Sequence, residues 1–228
     1  MDNLKLEQVT PTLSVYQQKG VFCYGTDAVL LAKYTAGYFK SLKNKTMCDL
    51  CSGTGIIPLL ICDFNKDITA HGVEINEAAC NIAVMSADIS GISDRYFQHH
   101  CDIKDVRNIF KAESMDFVTC NPPYMTADSG YMCDEDYKTI ARHEIFCNID
   151  DVFKSAAFLL RTGGNLFIVY RSDRLSSLFR AAFNNNFEIK DMVSFISSPA
   201  PALSKLIVCR ATKGAAEGMK LSVSNIIK

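Results

Sequence analysis

Lys45-Thr-Met-Cys-Asp49-Leu-Cys51-Ser-Gly53-Thr-Gly55-Ile-Ile-Pro58 is the stretch that decides the fold. Lys45–Leu50 reads as a short apolar strand, and Cys51–Gly55 is a run of small, turn-forming residues. Ile56–Cys62 then begins a helix. Pro58 is tolerable there because it falls near the first turn, where backbone N–H groups have no intrahelical partner. Strand, glycine loop and helix in that order open a parallel α/β sheet. The Gly-x-Gly fragment is weak evidence by itself, but two nucleotide readings fall on it. A nicotinamide fingerprint needs a third glycine at position 58, where the chain has Pro58. A P-loop needs Gly-Lys-Ser/Thr after its glycines, and none follows.

Working outward toward the C-terminus, Ile68–Ile75 is a second strand, followed by a helix from about Glu77 to Ile89. Tyr96–Asp102 is a weaker third strand. Met115–Cys120 is a clear fourth, which stops at Asn121-Pro122-Pro123-Tyr124. Ala127–Arg142 is polar and irregular and reads as a loop. Asp151–Leu160 is an amphipathic helix, Gly163-Gly164 turns the chain into the strand Asn165–Tyr170, and Leu175–Phe183 is a last helix. Two strands close the chain, near Phe187–Ile196 and Lys205–Thr212. Toward the N-terminus, Thr26–Tyr34 reads as a helix with Thr26 as its cap and Asp27 in its first turn. The expectation is one domain over residues 1–228. Residues 1–44 form a helical cap over the loop end of the sheet, and 45–228 form a Rossmann-like core. That core is a seven-stranded, mostly parallel sheet with an antiparallel C-terminal edge pair and helices on both faces.

Composition narrows the class. Hydrophobic residues make up 48% and charged residues 21%, ordinary for a globular protein with a full core. No apolar run approaches the roughly 18 residues of a membrane helix, and the N-terminus lacks the layout of a secretory signal. The expected location is cytoplasmic. The 10 cysteines are scattered singly; Cys48 and Cys51 form a lone C-x-x-C without a second pair or histidines to complete a zinc set. They read as reduced, mostly buried thiols, and no metal is expected. The net charge of −1 hides an asymmetry: 11 Lys and Arg against 18 Asp and Glu before residue 138, then 13 against 7 from Lys138 onward. A basic second half can attract a polyanion, although on composition alone solvated surface charge is the better explanation. Arg161, Arg171, Arg174, Lys205, Arg210 and Lys213 are its candidate phosphate contacts. The sequence leaves the oligomeric state open, with a monomer favoured.

In such sheets the ligand lies beyond the C-terminal ends of the strands. Those ends carry Asp49 with Cys51–Gly55, then Glu74, Asp102 and Asn121. Gly53 and Gly55 let a backbone approach a ligand. Glu74 can accept from two ribose hydroxyls, and Asp102 from an adenine amino group. Asn121-Pro122-Pro123-Tyr124 suits a planar amine, whose lone pair is delocalised and poorly nucleophilic. The Asn121 side-chain oxygen and the Pro122 carbonyl can accept its two N–H bonds, favouring a pyramidal nitrogen. The prolines stiffen the backbone and Tyr124 can stack on the flat substrate.

These residues resemble the class I S-adenosylmethionine methyltransferases with an N-P-P-Y motif. More narrowly, the chain resembles the bacterial tRNA1(Val) adenine-N6 methyltransferase family. Gln18–Ala32, Asp49–Pro58, Gly72–Ile75, Cys120–Tyr124, Ala141–Glu144 and the Leu160–Leu175 region carry the resemblance. It implies S-adenosylmethionine as cofactor, contacted by Asp27, Asp49, Cys51, Gly53, Gly55, Glu74, Ile75, Asp102, Ile103 and Asn121. It further implies Asn121, Pro122 and Tyr124 as the catalytic group, with Pro123, Tyr124, Arg142, Arg171 and Arg174 on the side of a tRNA substrate. Cys51 departs from the broader pattern, which has glycine there. Arg142, His143 and Glu144 suit a nucleic-acid guide or a helix-capping ion-pair set equally. Two other functions remain in view. One is glutamine-N5 methylation of a translation release factor, whose enzymes carry a longer helical N-terminal domain than the 48 or so residues preceding the glycine loop here. The other is a non-catalytic RNA-binding protein that keeps the fold, against which the intact Asn121, Tyr124, Glu74 and Asp102 argue.

Overall fold

The computed structural model describes residues 4–18, 20, 21, 23–39, 43–123, 147–196 and 206–225. Its strands are β1 Leu4–Gln8, β2 Ser14–Gln18, β3 Lys45–Leu50, β4 Ile68–Glu74, β5 Tyr96–His100, β6 Met115–Cys120, β7 Leu160–Arg171, β8 Phe187–Ile196, β9 Leu206–Lys213 and β10 Lys220–Asn225. The helices are α1 Thr26–Tyr38, α2 Ile56–Phe64, α3 Glu77–Ile89, α4 Ile149–Leu159 and α5 Leu175–Asn184, with short 3-10 turns at Ile103–Asn108 and Ser172–Arg174.

The large sheet has eight strands in the order β10-β8-β9-β7-β6-β3-β4-β5. β5, β4, β3, β6 and β7 are parallel, while β9 runs antiparallel to both β7 and β8. Two details differ from expectation. The antiparallel strand is interior, because Ile207, Val208, Cys209 and Ala211 of β9 are buried and need cover on both sides. The edge beyond β8 is closed by β10, parallel to it. β10 alternates Leu-Ser-Val-Ser, but Leu221 and Val223 are 67% and 66% exposed, so it never carries the signature of a buried strand.

The N-terminal residues also depart from the helical cap expected of 1–44. Residues 4–18 form an antiparallel hairpin. It docks on α3 through Tyr16 N to Ser86 Oγ at 2.9 Å and Ser14 N to Ser90 Oγ at 3.0 Å, and on α2 through Thr10 and Thr12 to Asp63. Five-residue alternation is too short to outweigh the Thr-Pro-Thr turn in a sequence reading. α1 follows, but Gly25 rather than Thr26 is its N-cap; Asp27 does lie in the first turn.

The core lies on both faces of the sheet. One cluster packs α4 and α5 against β3, β6, β7, β8 and β9; the other packs α1, α2, α3 and the hairpin's Leu13 and Val15 against the opposite face. Phe39 stacks on Phe117 at 4.0 Å and meets Phe167 edge-on, so α1 is fixed to the middle of the sheet. Register sets the site. Leu50 pairs with Val73 on one side and Cys120 on the other, so Cys51, Glu74 and Asn121 emerge at one level. That is also where the strand order reverses, the place such sheets bind ligands.

A candidate cofactor and substrate site at the carboxyl end of the sheet

The loop after β3 makes a compact cradle. Cys51, Gly53 and Gly55 have φ of 58°, 54° and 81°, three left-handed residues within five. Ser52 N donates to Val73 O at 3.0 Å and Gly55 N to Ser52 O at 2.9 Å. Glu74, 8% exposed, ties the cradle to β4: Oε2 accepts from Gly53 N at 2.9 Å and Oε1 from Asn76 N at 2.8 Å. This tether is a second task for Glu74 that strand-end reasoning missed. Each carboxylate oxygen retains the capacity for one more bond. The glycines serve different ends. A Cβ at Gly53 would meet open space, whereas one at Gly55 would lie 2.8 Å from Tyr96 Oη and 3.0 Å from Ala83 Cβ. Gly53 therefore presents backbone outward, while Gly55 lets α2 start hard against its neighbours.

Asp49 sits beneath the cradle, fully buried. Thr119 Oγ1 donates to its Oδ1 at 2.5 Å, and Oδ2 has no hydrogen-bond partner among the described residues. Burial, with the charge of Glu74 adding to it and the Thr119 bond opposing, pushes the carboxyl up to about 8. A carboxyl so placed favours its neutral form near pH 7, and a neighbouring cation would favour the charged one. Cys51 Sγ lies 3.8 Å from Cys147 Sγ. Its hydrogen bond with Cys120, reinforced by burial, raises its pKa well above the usual thiol range, so this cluster is held as thiols.

Asn121 leaves β6 beside the cradle, and its Nδ2 donates to Asp27 Oδ2 at 3.0 Å. Pro122 is buried and Pro123 half-buried, which fixes the backbone leading away. Asp102 caps the 3-10 turn, accepting from Lys104 N at 2.9 Å and pairing with Lys104 Nζ at 3.2 Å. Ile103 beside it is 4% exposed in the core, its carbonyl accepting from Ser155 Oγ, whereas Ile75 is 39% exposed at the end of β4. Tyr124, Arg142, His143 and Glu144 lie outside the described residues. The cap of α4 is Asn148, in a reciprocal capping box with Asp151.

The basic candidates separate. Arg171 and Arg174 follow the carboxyl end of β7, where Arg171 chelates Asp173. Arg210, Arg161 and Lys213 do not belong to that surface. Arg210 is mostly buried against Asp191 and lies over the Tyr38 ring at 4.9 Å. Arg161 pairs with Asp116 at the far end, and Lys213 is spent on the Ala157 and Leu160 carbonyls. Arg210 and Lys213 are consumed by structure and Arg161 is set apart by its place at the other end of the sheet, which a charge count cannot reveal. Lys205 lies outside the described residues.

The fold and the strand-end cradle define a Rossmann-like methyltransferase domain. The chain belongs to the methyltransferase small domain family, whose model matches residues 12–195. It is 27% identical over 156 residues to a tRNA1(Val) (adenine(37)-N6)-methyltransferase of Flavobacterium psychrophilum, covering 68% of this chain and 64% of that protein. It is 28% identical over 116 residues to the release factor glutamine methyltransferase of Clostridium acetobutylicum, covering 51% and 40% of the two chains. The chain thus spans less than two thirds of the curated relatives it matches here. Among solved structures, the Thermus thermophilus 16S rRNA N2 G1207 methyltransferase, in complex with AdoMet and guanosine, superposes with a TM-score of 0.64 at 16% identity, covering 92% of this chain and 50% of that one.

Proposed function

We propose that this chain is an S-adenosylmethionine-dependent methyltransferase acting on N6 of an adenine in RNA, with a tRNA anticodon-loop adenine as its substrate. The observation that carries the reading is the convergence of the Asp49–Gly53–Glu74 cradle and Asn121 at one strand-end level. The partnerless Asp49 Oδ2 is the test of fit: a buried acceptor beneath a glycine loop suits the ammonium of a methionine moiety. Glu74, with acceptor capacity left on both oxygens, would hold ribose hydroxyls, and Asp102 the adenine amino group. Gly53 would lie against the methionine part.

When bound, S-adenosylmethionine supplies an electrophilic methyl on a sulfonium. The chain's own part is positioning. Asn121 Oδ1 and the Pro122 carbonyl would accept the two hydrogens of the target amine, so that its lone pair faces the methyl. Tyr124 would stack on the base. No general base is required, because the methylated cation is acidic and its proton leaves to water. Arg171, Arg174 and Arg142 would meet the phosphate backbone. The similarity to tRNA adenine-N6 methyltransferases over 68% of the chain supports adenine over the glutamine amide, for which the matched share is 51%.

Incubating the protein with tritiated S-adenosylmethionine and bulk tRNA, followed by nucleoside analysis, tests the reading. Label in N6-methyladenosine is the expected result. Label in a release factor and none in tRNA would keep the cradle and overturn the substrate.

A further inference from the structure

Asp27 and Asn121 are 94 residues apart in sequence, yet their side chains meet at 3.0 Å. We infer that Asp27 is a positioning residue: it fixes which way round the Asn121 amide stands, and so makes Asn121 an acceptor toward the substrate amine. The inference rests on the adenine reading above and assigns the acceptor's orientation a cause.

A side-chain amide has an acceptor oxygen on one side and a donor nitrogen on the other, and the two exchange places by a half-turn about the last side-chain bond. Backbone position does not choose between them. A carboxylate does, because it carries no hydrogen and can only accept. The group facing Asp27 Oδ2 is therefore the NH2, and Oδ1 lies on the side of the amide away from Asp27. With the amide reversed, NH2 would confront the N–H bonds of the substrate amine, donor against donor, and the amine could not be held.

Asp27 is itself well placed to be fixed. It lies in the first turn of α1, whose body is anchored to the sheet by Leu31, Ala32 and Thr35, all fully buried, and by the Phe39–Phe117 stack. The carboxylate is thus carried on a rigid element, and the amide it orients ends a strand of the same sheet. Placing Asp27 with the cofactor contacts predicts that its loss weakens cofactor binding; placing it behind Asn121 predicts a loss in turnover instead.

Three variants of the full chain separate these outcomes: Asp27→Ala, Asn121→Asp, and the exchange Asp27→Asn with Asn121→Asp. Asp27→Ala is expected to lower kcat about 10- to 100-fold, with the Kd for S-adenosylmethionine and the KM for tRNA within about threefold of wild type. Asn121→Asp sets two carboxylates face to face and is expected to fall at least as far. The exchange again sets one donor, now the amide at position 27, against one carboxylate at position 121, and is expected to recover roughly tenfold over Asn121→Asp alone. An unchanged kcat in Asp27→Ala, a loss carried by cofactor Kd, or an exchange no better than the single variant overturns the inference. The pairing is also read without substrate, from hydrogen exchange of the Asn121 side-chain NH2 by 15N NMR. Slow exchange in wild type that becomes fast in Asp27→Ala supports it; fast exchange in wild type overturns it even if tRNA is methylated. A wild type that labels no tRNA overturns the adenine reading and leaves the NMR result to decide the pairing.

Discussion

Asp116 and Asp49 stand at opposite ends of neighbouring strands and are treated in opposite ways. At the amino end of β6, Asp116 is saturated: it takes the Thr46 amide at 2.9 Å, Lys45 at 2.9 Å and Arg161 at 3.1 Å. Burial would raise its pKa, but the amide and the two cations outweigh burial and hold it below the ordinary value. At the carboxyl end of β3, Asp49 is fully buried with one bond and a bare oxygen, and burial pushes it up to about 8. The complete one holds strands together; the incomplete one is the carboxylate that the proposed function assigns to a ligand.

The comparison breaks most visibly at Asn121. Asn121→Ala is expected to lower methyl transfer by about 10²- to 10³-fold, while calorimetry shows cofactor affinity largely intact. If affinity fell with turnover, the carboxyl end would hold one binding site rather than a cradle and a separate chemical group. Next in size is Glu74→Ala, which removes the tether to Gly53 and Asn76 as well as the proposed ribose contact. Cofactor Kd should rise about 10- to 100-fold, since bonds to a charged group contribute roughly 1.5–3 kcal/mol each. An unaltered Kd would reduce Glu74 to the loop tether alone.

Asp49 sharpens the contrast through protons. Its folded-state pKa of about 8 lies above the ordinary 3.8, so the folded protein holds a proton that the unfolded chain has released. The stability this gives is complete below that ordinary value and is lost as pH rises through about 8. A bound ammonium should reverse the shift. Calorimetry at pH 7 in buffers of different ionisation enthalpy should therefore show about one proton released per cofactor bound, and none with Asp49→Asn. The absence of release in wild type would mean that no cation meets Asp49. The smallest effect is at the other end. Asp116→Asn should cost about 1 kcal/mol of stability at neutral pH, read by chemical denaturation, with kcat unchanged. Because the Asp116 pKa is depressed, its contribution is present above the ordinary carboxylate value and fades as pH falls through the folded one. A loss of activity there would erase the distinction between the two ends.

Most of the fold was legible because it is written in local runs. The strand–loop–helix from Lys45 to Cys62 and the strand from Met115 that ends at Asn121-Pro122-Pro123 are each one contiguous run with its own turn chemistry, and their strand ends carry the candidate site. What was not legible is non-local or solvated. The hairpin of residues 4–18 owes its place to hydroxyls that meet α2 and α3 more than 50 positions away. β10 has no buried face to advertise it. Arg210 looked like a free cation because nothing in sequence places Asp191 and Tyr38 against it. The link from Asp27 to Asn121 joins two residues, 94 positions apart, that the sequence groups with the cofactor without pairing them.

Cys51 leaves room for an engineer. Its φ of 58° places a side chain in a conformation that costs an L residue about 1–2 kcal/mol and costs glycine nothing. Cys51→Gly removes that strain and gives back about 0.4–1 kcal/mol through the looser unfolded chain. Against that gain stand the contacts of the thiol with Cys120 and Cys147 and its packing on the sheet core, all of which glycine forfeits. Position 51 thus sets backbone strain against side-chain contact within one loop, and the melting temperature of Cys51→Gly reads which of the two is larger.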